Sequence, residues 1–242
     1  MARHRDGIVP RGTLVRINLV MKRLVIAIDG PSGAGKGTIS RTLSAALGYR
    51  HIDTGAMYRA VGWKALHETV PLDDEAAVAA LAERAAIVVE GGIVSIDGHD
   101  VTRAIRTPEI DKAATAVARL PRVREVLVTR QRAFGQQGGV VMEGRDIGTV
   151  VFPNADLKIY LDASAEERAR RRANDPAHTG SRAGQAAVAA AIQARDTSDT
   201  TRAASPLTLA SDAIHIDTTS MPVNEVVEKV LGLVRARLAT TL

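Results

Sequence analysis

Four glycines, a lysine and a threonine fall within nine residues, Gly30-Pro31-Ser32-Gly33-Ala34-Gly35-Lys36-Gly37-Thr38. Glycines this close free the backbone of Cβ atoms, so consecutive amides can curl around an oxyanion. The stretch follows a five-residue apolar run, Leu24 to Ile28, and opens into helix-forming residues. Gly-x-x-x-x-Gly-Lys between a strand and a helix is a phosphate-cradling loop, and the helix N-terminus adds positive potential. Lys36 supplies a full charge for β- and γ-phosphates. Gly37 stands where Ser or Thr commonly follows the lysine, so the hydroxyl expected near a magnesium ion is that of Thr38.

Arginines set beside carboxylates form a second group. Arg59 closes the block Asp53-Thr54-Gly55-Ala56-Met57-Tyr58-Arg59, and Glu143-Gly144-Arg145-Asp146 follows an apolar run. Arg195 and Asp199 are four apart, as are Arg168 and Arg172, with Arg202 just beyond. A guanidinium fork binds phosphate oxygens in pairs. On spacing alone, Arg195 and Asp199 could equally be an intrahelical ion pair, and Arg168 to Arg172 a solvated basic face. The six histidines, His4, His51, His67, His99, His178 and His215, match no catalytic pattern and are expected to be structural or exposed. A guanine-reading Asn-Lys-x-Asp tetrapeptide is missing, which argues against a GTPase switch.

The elements that must position these residues alternate. Strands are expected at Leu24 to Ile28, Tyr49 to Ile52, Val140 to Met142, Leu157 to Leu161 and Ala213 to Ile216. Helices are expected at Thr38 to Leu47, ended by Gly48, at Ala56 to His67 and at Val223 to Leu238. Ser164-Ala165-Glu166-Glu167 reads as a capping box opening another helix. Strands separated by helices predict an α/β fold with a parallel sheet and helices on both faces. Ile87 to Val101 breaks this rhythm. Its Gly91-Gly92 and Asp97-Gly98 turns predict a small antiparallel insert. Asn174 to Arg182 reads as a mobile loop.

Composition narrows the partners. Of 242 residues 45% are hydrophobic and 24% charged, as in an ordinary globular chain, and there is no cysteine to form a disulfide or a thiolate metal site. The net charge of +5 lies in residues 1–23, which hold six Lys or Arg and one acid; the rest balances 26 basic against 26 acidic residues. With aromatics at 2%, stacking platforms for bases are scarce. Neither a nucleic-acid partner nor a membrane is expected. Residues 1–22 read as a disordered extension, with Met21 a natural start.

The blocks IDGPSGAGKGT, DTGAMYRA, PRVREVLVTRQRAF, EGRDIGTVVFPNADLKIYLDAS and RD..D..R occur in that order. Together they resemble the bacterial cytidylate kinases, P-loop nucleoside monophosphate kinases, over roughly Leu24 to Leu238. That resemblance implies a P-loop kinase core with a parallel five-stranded sheet flanked by helices, an inserted antiparallel-sheet domain that binds the nucleoside monophosphate (NMP), and a short lid. In numbers, the core would take 23–59, 119–167 and 195–242, the NMP-binding insert 60–118 and the lid 168–194. Implied too are a cytoplasmic monomer, the donor ATP with Mg2+, and CMP or dCMP as acceptor. Another nucleotide or small-molecule kinase would keep the loop and lid but change the base-reading residues.

By the same resemblance, Gly30 to Thr38 and Arg168 would hold ATP, with Lys36, Arg145, Arg172 and Arg202 acting on the transferred group. Arg59, Arg145 and Arg202 would meet the CMP phosphate, with Thr54 nearby. Arg195 and Asp199 would meet the sugar, and Thr115, Arg124 and Asp146 the cytosine. Thr115 could also simply pack or cap in a helix. Glu143, with Thr38, would serve magnesium through water.

Overall fold

The computed structural model describes residues 23–175, 177 and 184–240. The expected extension, 1–22, and most of the expected Asn174–Arg182 loop lie outside the described residues. In chain order the elements are β1 (Val25–Asp29), α1 (Lys36–Leu47), β2 (Arg50–Asp53), α2 (Thr54–His67) and α3 (Glu75–Arg84). Next come β3 (Ile87–Glu90), β4 (Ile93–Ile96), β5 (His99–Asp100), α4 (Pro108–Val117) and α5 (Pro121–Gly135). The chain continues through β6 (Val140–Glu143), a π-turn at Ile147–Val151, β7 (Leu157–Asp162) and α6 (Ala165–Ala173). It closes with α7 (Gln185–Thr201), β8 (Ile214–Asp217) and α8 (Val223–Ala239).

Five strands form one sheet in the order β2-β6-β1-β7-β8, every neighbour parallel. β1 is central because it is apolar on both faces. Ile26 and Ile28 pack with Ile39 and Leu43 of α1 and Val227 and Val230 of α8. Ala27 points the other way, among Met142, Val128 of α5 and Val151. The period of two along a strand thus divides the core into two layers. The insert is the antiparallel sheet β3-β4-β5, turned at Gly91-Gly92 and Asp97-Gly98 as its dipeptides predict. Val61 of α2, Leu81 of α3, Ile96, Ile105 and Leu127 of α5 share its core.

Several expected bounds shift for local reasons. α2 starts at Thr54 because the Asp53 carboxylate caps it, accepting from the Ala56 N–H at 3.0 Å. α1 starts at Lys36, directly after Gly35 in the left-handed region, and Gly48 closes it as expected. The last strand runs one residue later than expected, to Asp217. Only half of the predicted capping box forms: the Ser164 hydroxyl accepts from the Glu167 N–H, but the Ser164 N–H donates to the Thr219 hydroxyl. The Glu167 carboxylate turns to Arg170 and Arg171 instead, since adjacent cations outcompete a neutral amide for it. The boundaries 59/60, 167/168 and 194/195 fall inside α2, α6 and α7, so continuous helices carry the chain across each. Among the described residues no helix is long and apolar enough to cross a membrane.

Candidate functional site

β1, β2 and β6 end side by side, with Glu143 in register with both Ile28 and Asp53. A crevice beyond the carboxyl ends of the strands is where open α/β sheets bind ligands. Three segments leave those ends together: the glycine-rich loop, the start of α2, and Gly144-Arg145-Asp146.

The loop is held from below and outside. Gly30 has φ +144°, and a Cβ there would sit 1.9 Å from the Leu161 carbonyl oxygen, so no other residue fits. Pro31 offers its carbonyl to Lys36 Nζ at 2.6 Å. Lys36 is 7% exposed, and burial, then Arg145, lower its pKa well below the ordinary lysine value. Ser32 donates its N–H to Asp196 Oδ1 at 3.1 Å and accepts from Arg168 Nη1 at 3.1 Å. The Ala34 carbonyl accepts from the Thr218 hydroxyl. Gly33, Gly35, Gly37 and Thr38 line a cavity of about 550 Å³. Gly37 faces the Glu143 carboxylate: a Cβ there would come into contact with it, 3.4 Å from Oε1.

Glu143 is buried and fixed from two sides. His51 Nε2 lies 2.8 Å from its carboxylate, and the Thr54 hydroxyl donates to its backbone carbonyl at 2.7 Å. Beyond it the π-turn is anchored by Asp29, which accepts from the Ile147 and Gly148 N–H groups at 2.8 and 2.7 Å. Burial pushes Asp29 up to about 6 despite those two bonds.

Next to the cavity a small recess collects Thr54, Thr115, Arg124, Asp146, Arg195, Asp199 and Arg202, with Arg145 lining both spaces. Asp146 and Arg124 form a buried ion pair, and Arg124 lies over the Tyr58 ring at 5.4 Å. Arg145 Nε donates to Asp199 at 2.8 Å, and Arg202 Nη1 lies 3.5 Å from the same carboxylate. Thr115 donates its hydroxyl to the Asp111 carbonyl at 2.8 Å. The Tyr58 hydroxyl, Arg124 Nε and Arg202 Nη2 are buried with no hydrogen-bond partner. Such groups cost about 1–3 kcal/mol each unless something supplies a partner.

Arg59, Arg172 and Arg195 line the main cavity and all reach Asp111. Arg195 and Asp199 face different partners, so they are not the simple intrahelical pair their spacing allows. Of the residues expected to hold ATP, Gly30, Pro31 and Arg168 do not line the cavity. Arg168 lies on the outer side of the loop, holding Ser32, Ala163 and Asp196. The basic run from Arg168 is therefore only partly a solvated face. Arg171 binds Thr218 and lines the cavity together with Met221, Pro222 and Val223, an apolar wall that sequence reasoning missed. Also missed were Asp29, His51, Tyr58, Asp111 and Asp196. Asp29 is the one with a signal, a carboxylate ending an apolar strand where it must find donors.

A phosphate loop on the central strand of a parallel sheet, facing a bank of arginines, defines a P-loop kinase fold. Solved structures of similar shape include a gluconokinase from Sinorhizobium meliloti 1021, with TM-score 0.48 and 15% identity over 91% of this chain and 94% of that one. A shikimate kinase from Acinetobacter baumannii scores 0.46, with 14% identity over 89% of this chain and 95% of that one. The cytidylate kinase family profile matches residues 26–236. The cytidylate kinase of Solibacter usitatus is 48% identical over 89% of this chain and 94% of its own length. That of Pelotomaculum thermopropionicum is 52% identical over 87% and 96%. The chain belongs to the cytidylate kinase family, and its activity is that of an ATP-dependent phosphotransferase.

Proposed function

We propose that the cavity and recess together transfer the γ-phosphoryl group of ATP to CMP or dCMP. The observation that carries this reading is the recess of Thr115, Arg124 and Asp146 beside the phosphate loop, with Arg145 on both sides. Cytosine presents one amino donor and two acceptors, and a carboxylate, a guanidinium and a hydroxyl complement them. The orphaned donors on Arg124, Arg202 and Tyr58 are the groups a nucleotide would satisfy.

Gly30, Pro31, Ser32, Gly33, Ala34, Gly35, Gly37 and Thr38 shape the seat for the ATP phosphates, with Lys36 turning from Pro31 to the β,γ-bridge. Arg168 serves ATP indirectly, by holding the loop at Ser32. Arg59, Arg145 and Arg202 hold the CMP phosphate with Thr54 beside them, and Asp199 and Arg195 face the sugar. An oxygen of that phosphate attacks the γ-phosphorus, the bond to the β-phosphate oxygen breaks, and ADP leaves with CDP or dCDP. The acceptor is already an anion, so no nucleophilic side chain is required. Lys36, Arg145, Arg172 and Arg202 offset the charge on the transferred group.

Glu143 and Thr38 suit magnesium, because its carboxylate reaches over Gly37 into the cavity that Thr38 lines. One carboxylate and one hydroxyl are enough for an ion that takes its remaining ligands from phosphate and water. Bound there with ATP, Mg2+ would neutralise the β,γ-phosphate oxygens. We read the insert, 60–118, as the NMP-binding domain and 168–194 as the lid, in a cytoplasmic monomer.

Transfer from ATP with magnesium to CMP, dCMP, UMP, AMP and GMP, each offered alone, tests the proposal. CMP and dCMP should far exceed the others. Equal use of UMP would remove the cytosine role of Asp146, and use of no monophosphate would remove the reaction.

A further inference from the structure

Asp111 lies in the first turn of α4, on the insert, where sequence offers it only as an acid favoured by the helix dipole. Three guanidinium groups from three other helices converge on its carboxylate. Arg59 Nε of α2 and Arg195 Nη1 of α7 reach Oδ1 at 3.0 and 3.1 Å, and Arg172 Nη2 of α6 reaches Oδ2. All three arginines line the main cavity, and Asp111 lines the adjoining cleft between α4 and α7, which Arg172, Arg195 and Ser32 of the phosphate loop share. The carboxylate therefore meets the arginines from the side of that cleft.

The bonding leaves each fork in use on one side and available on the other. A guanidinium carries five N–H donors, and each of these three spends one on Asp111. Like charges packed this tightly repel. Burial, then Arg59 and Arg145, bring Arg195 down to about 10, with Asp111 opposing them. Each long side chain loses rotamer entropy when it is fixed, a cost that a phosphate would otherwise have to overcome on binding. A fixed anion within the cluster removes much of that cost in advance.

We infer that Asp111 is a positioning residue for the nucleotides: it gathers Arg59, Arg172 and Arg195 and leaves their remaining donors for the acceptor phosphate, the transferred group and the sugar. Because it sits on the insert while Arg172 and Arg195 come from α6 and α7, the same carboxylate ties the acceptor side to the lid helices. The inference rests on the reading of these arginines as nucleotide ligands.

Calorimetry of CMP and cytidine binding to the full chain tests it, with steady-state kinetics and melting on Asp111→Asn and Asp111→Glu. In Asp111→Asn, CMP should weaken by about tenfold to a hundredfold, the usual cost of misplaced binding groups, while cytidine, which engages only Arg195 of the three, weakens by a clearly smaller factor. The KM for CMP should rise, and Asp111→Glu should recover most of the loss. CMP bound as tightly as before, or more tightly, would overturn the inference, since the carboxylate would then be idle or competing. CMP and cytidine weakened alike would also overturn it, in favour of a purely structural role for α4. If the unaltered chain bound CMP no better than cytidine, the reading of the arginines would itself fail.

Discussion

The two halves of the site are built in opposite ways. The phosphate loop is one contiguous segment whose working groups are backbone amides and a single lysine, fixed by Leu161 below and Asp196 outside. The acceptor half draws Arg59, Arg124, Arg145, Arg172, Arg195 and Arg202 from separate segments, and all of its working groups are side chains. Backbone amides keep their direction once the loop is folded. Arginine forks do not, so this half needs Asp53, Asp111, Asp146 and Asp199 to hold it. The donor half owes its geometry to covalent constraint and the acceptor half to ion pairing.

The sharpest way to break this contrast is at Lys36. Lys36→Met should lower kcat by about a thousandfold, as the loss of a charge aimed at the transferred group does. The ligand-free chain should melt no lower, because a buried ammonium bound to one carbonyl is replaced by an apolar side chain. A parallel fall in melting temperature would show that the lysine shapes the loop and is not simply carried by it.

This contrast also decides what the sequence could reveal. The glycine spacing, the lysine and the strand before them are local, so the loop was legible residue by residue, and the sheet followed from apolar runs at strand length. Arg59, Arg145, Asp146 and Arg202 came from the resemblance to a family, because nothing local says that residues 59, 145 and 202 meet. Asp111 and His51 were invisible for a plainer reason. Their partners lie 61 and 92 residues away, in Arg172 and Glu143, and their own neighbourhoods read as ordinary helix and strand. Arg168 shows the converse: its position was legible and its direction was not, since only packing against Ser32 turns it outward.

Asp146 tests whether ion pairing on the acceptor side sets specificity as well as position. In Asp146→Asn, the preference for CMP over UMP should shrink by about a hundredfold, because an amide can donate where uracil has an oxygen. Being a ratio, this readout is insensitive to any stability lost with the Arg124 pair. An unchanged ratio would place base reading elsewhere in the recess.

Asp29 and Asp53 close the two ends of β1 and β2, and they should respond to acid in opposite ways. Burial outweighs two N–H bonds and raises Asp29 to about 6, so its folded form holds a proton more tightly than the unfolded chain does. Stability from this group is full below about pH 4 and is lost as pH rises through 6, by about 3 kcal/mol at most. Asp29→Asn should flatten that part of the stability curve. Burial would raise Asp53 too, but Arg59 and Arg106 outweigh it and bring it down to about 2. Its contribution is present above about pH 4 and fades toward pH 2. Chemical denaturation from pH 2 to 8 measures both, and a slope between pH 4 and 6 that survives Asp29→Asn would refute the first assignment.

The smallest expected effect lies where the two halves touch. Glu143, held by His51, leans over Gly37, so a side chain at 37 competes with the carboxylate that we assign to magnesium. In Gly37→Ala the helix gains by replacing glycine, about 0.5–1 kcal/mol, while the new Cβ comes into contact with the Glu143 carboxylate. The melting temperature should therefore hold or rise slightly. The magnesium concentration for half-maximal rate should rise a few-fold, and direct Mn2+ binding to the ATP complex should weaken to match. Unchanged metal dependence would mean that Glu143 yields freely, and that His51 places it for packing alone. A lowered melting temperature would mean that it cannot yield, and that the contact between the halves is as rigid as the loop itself.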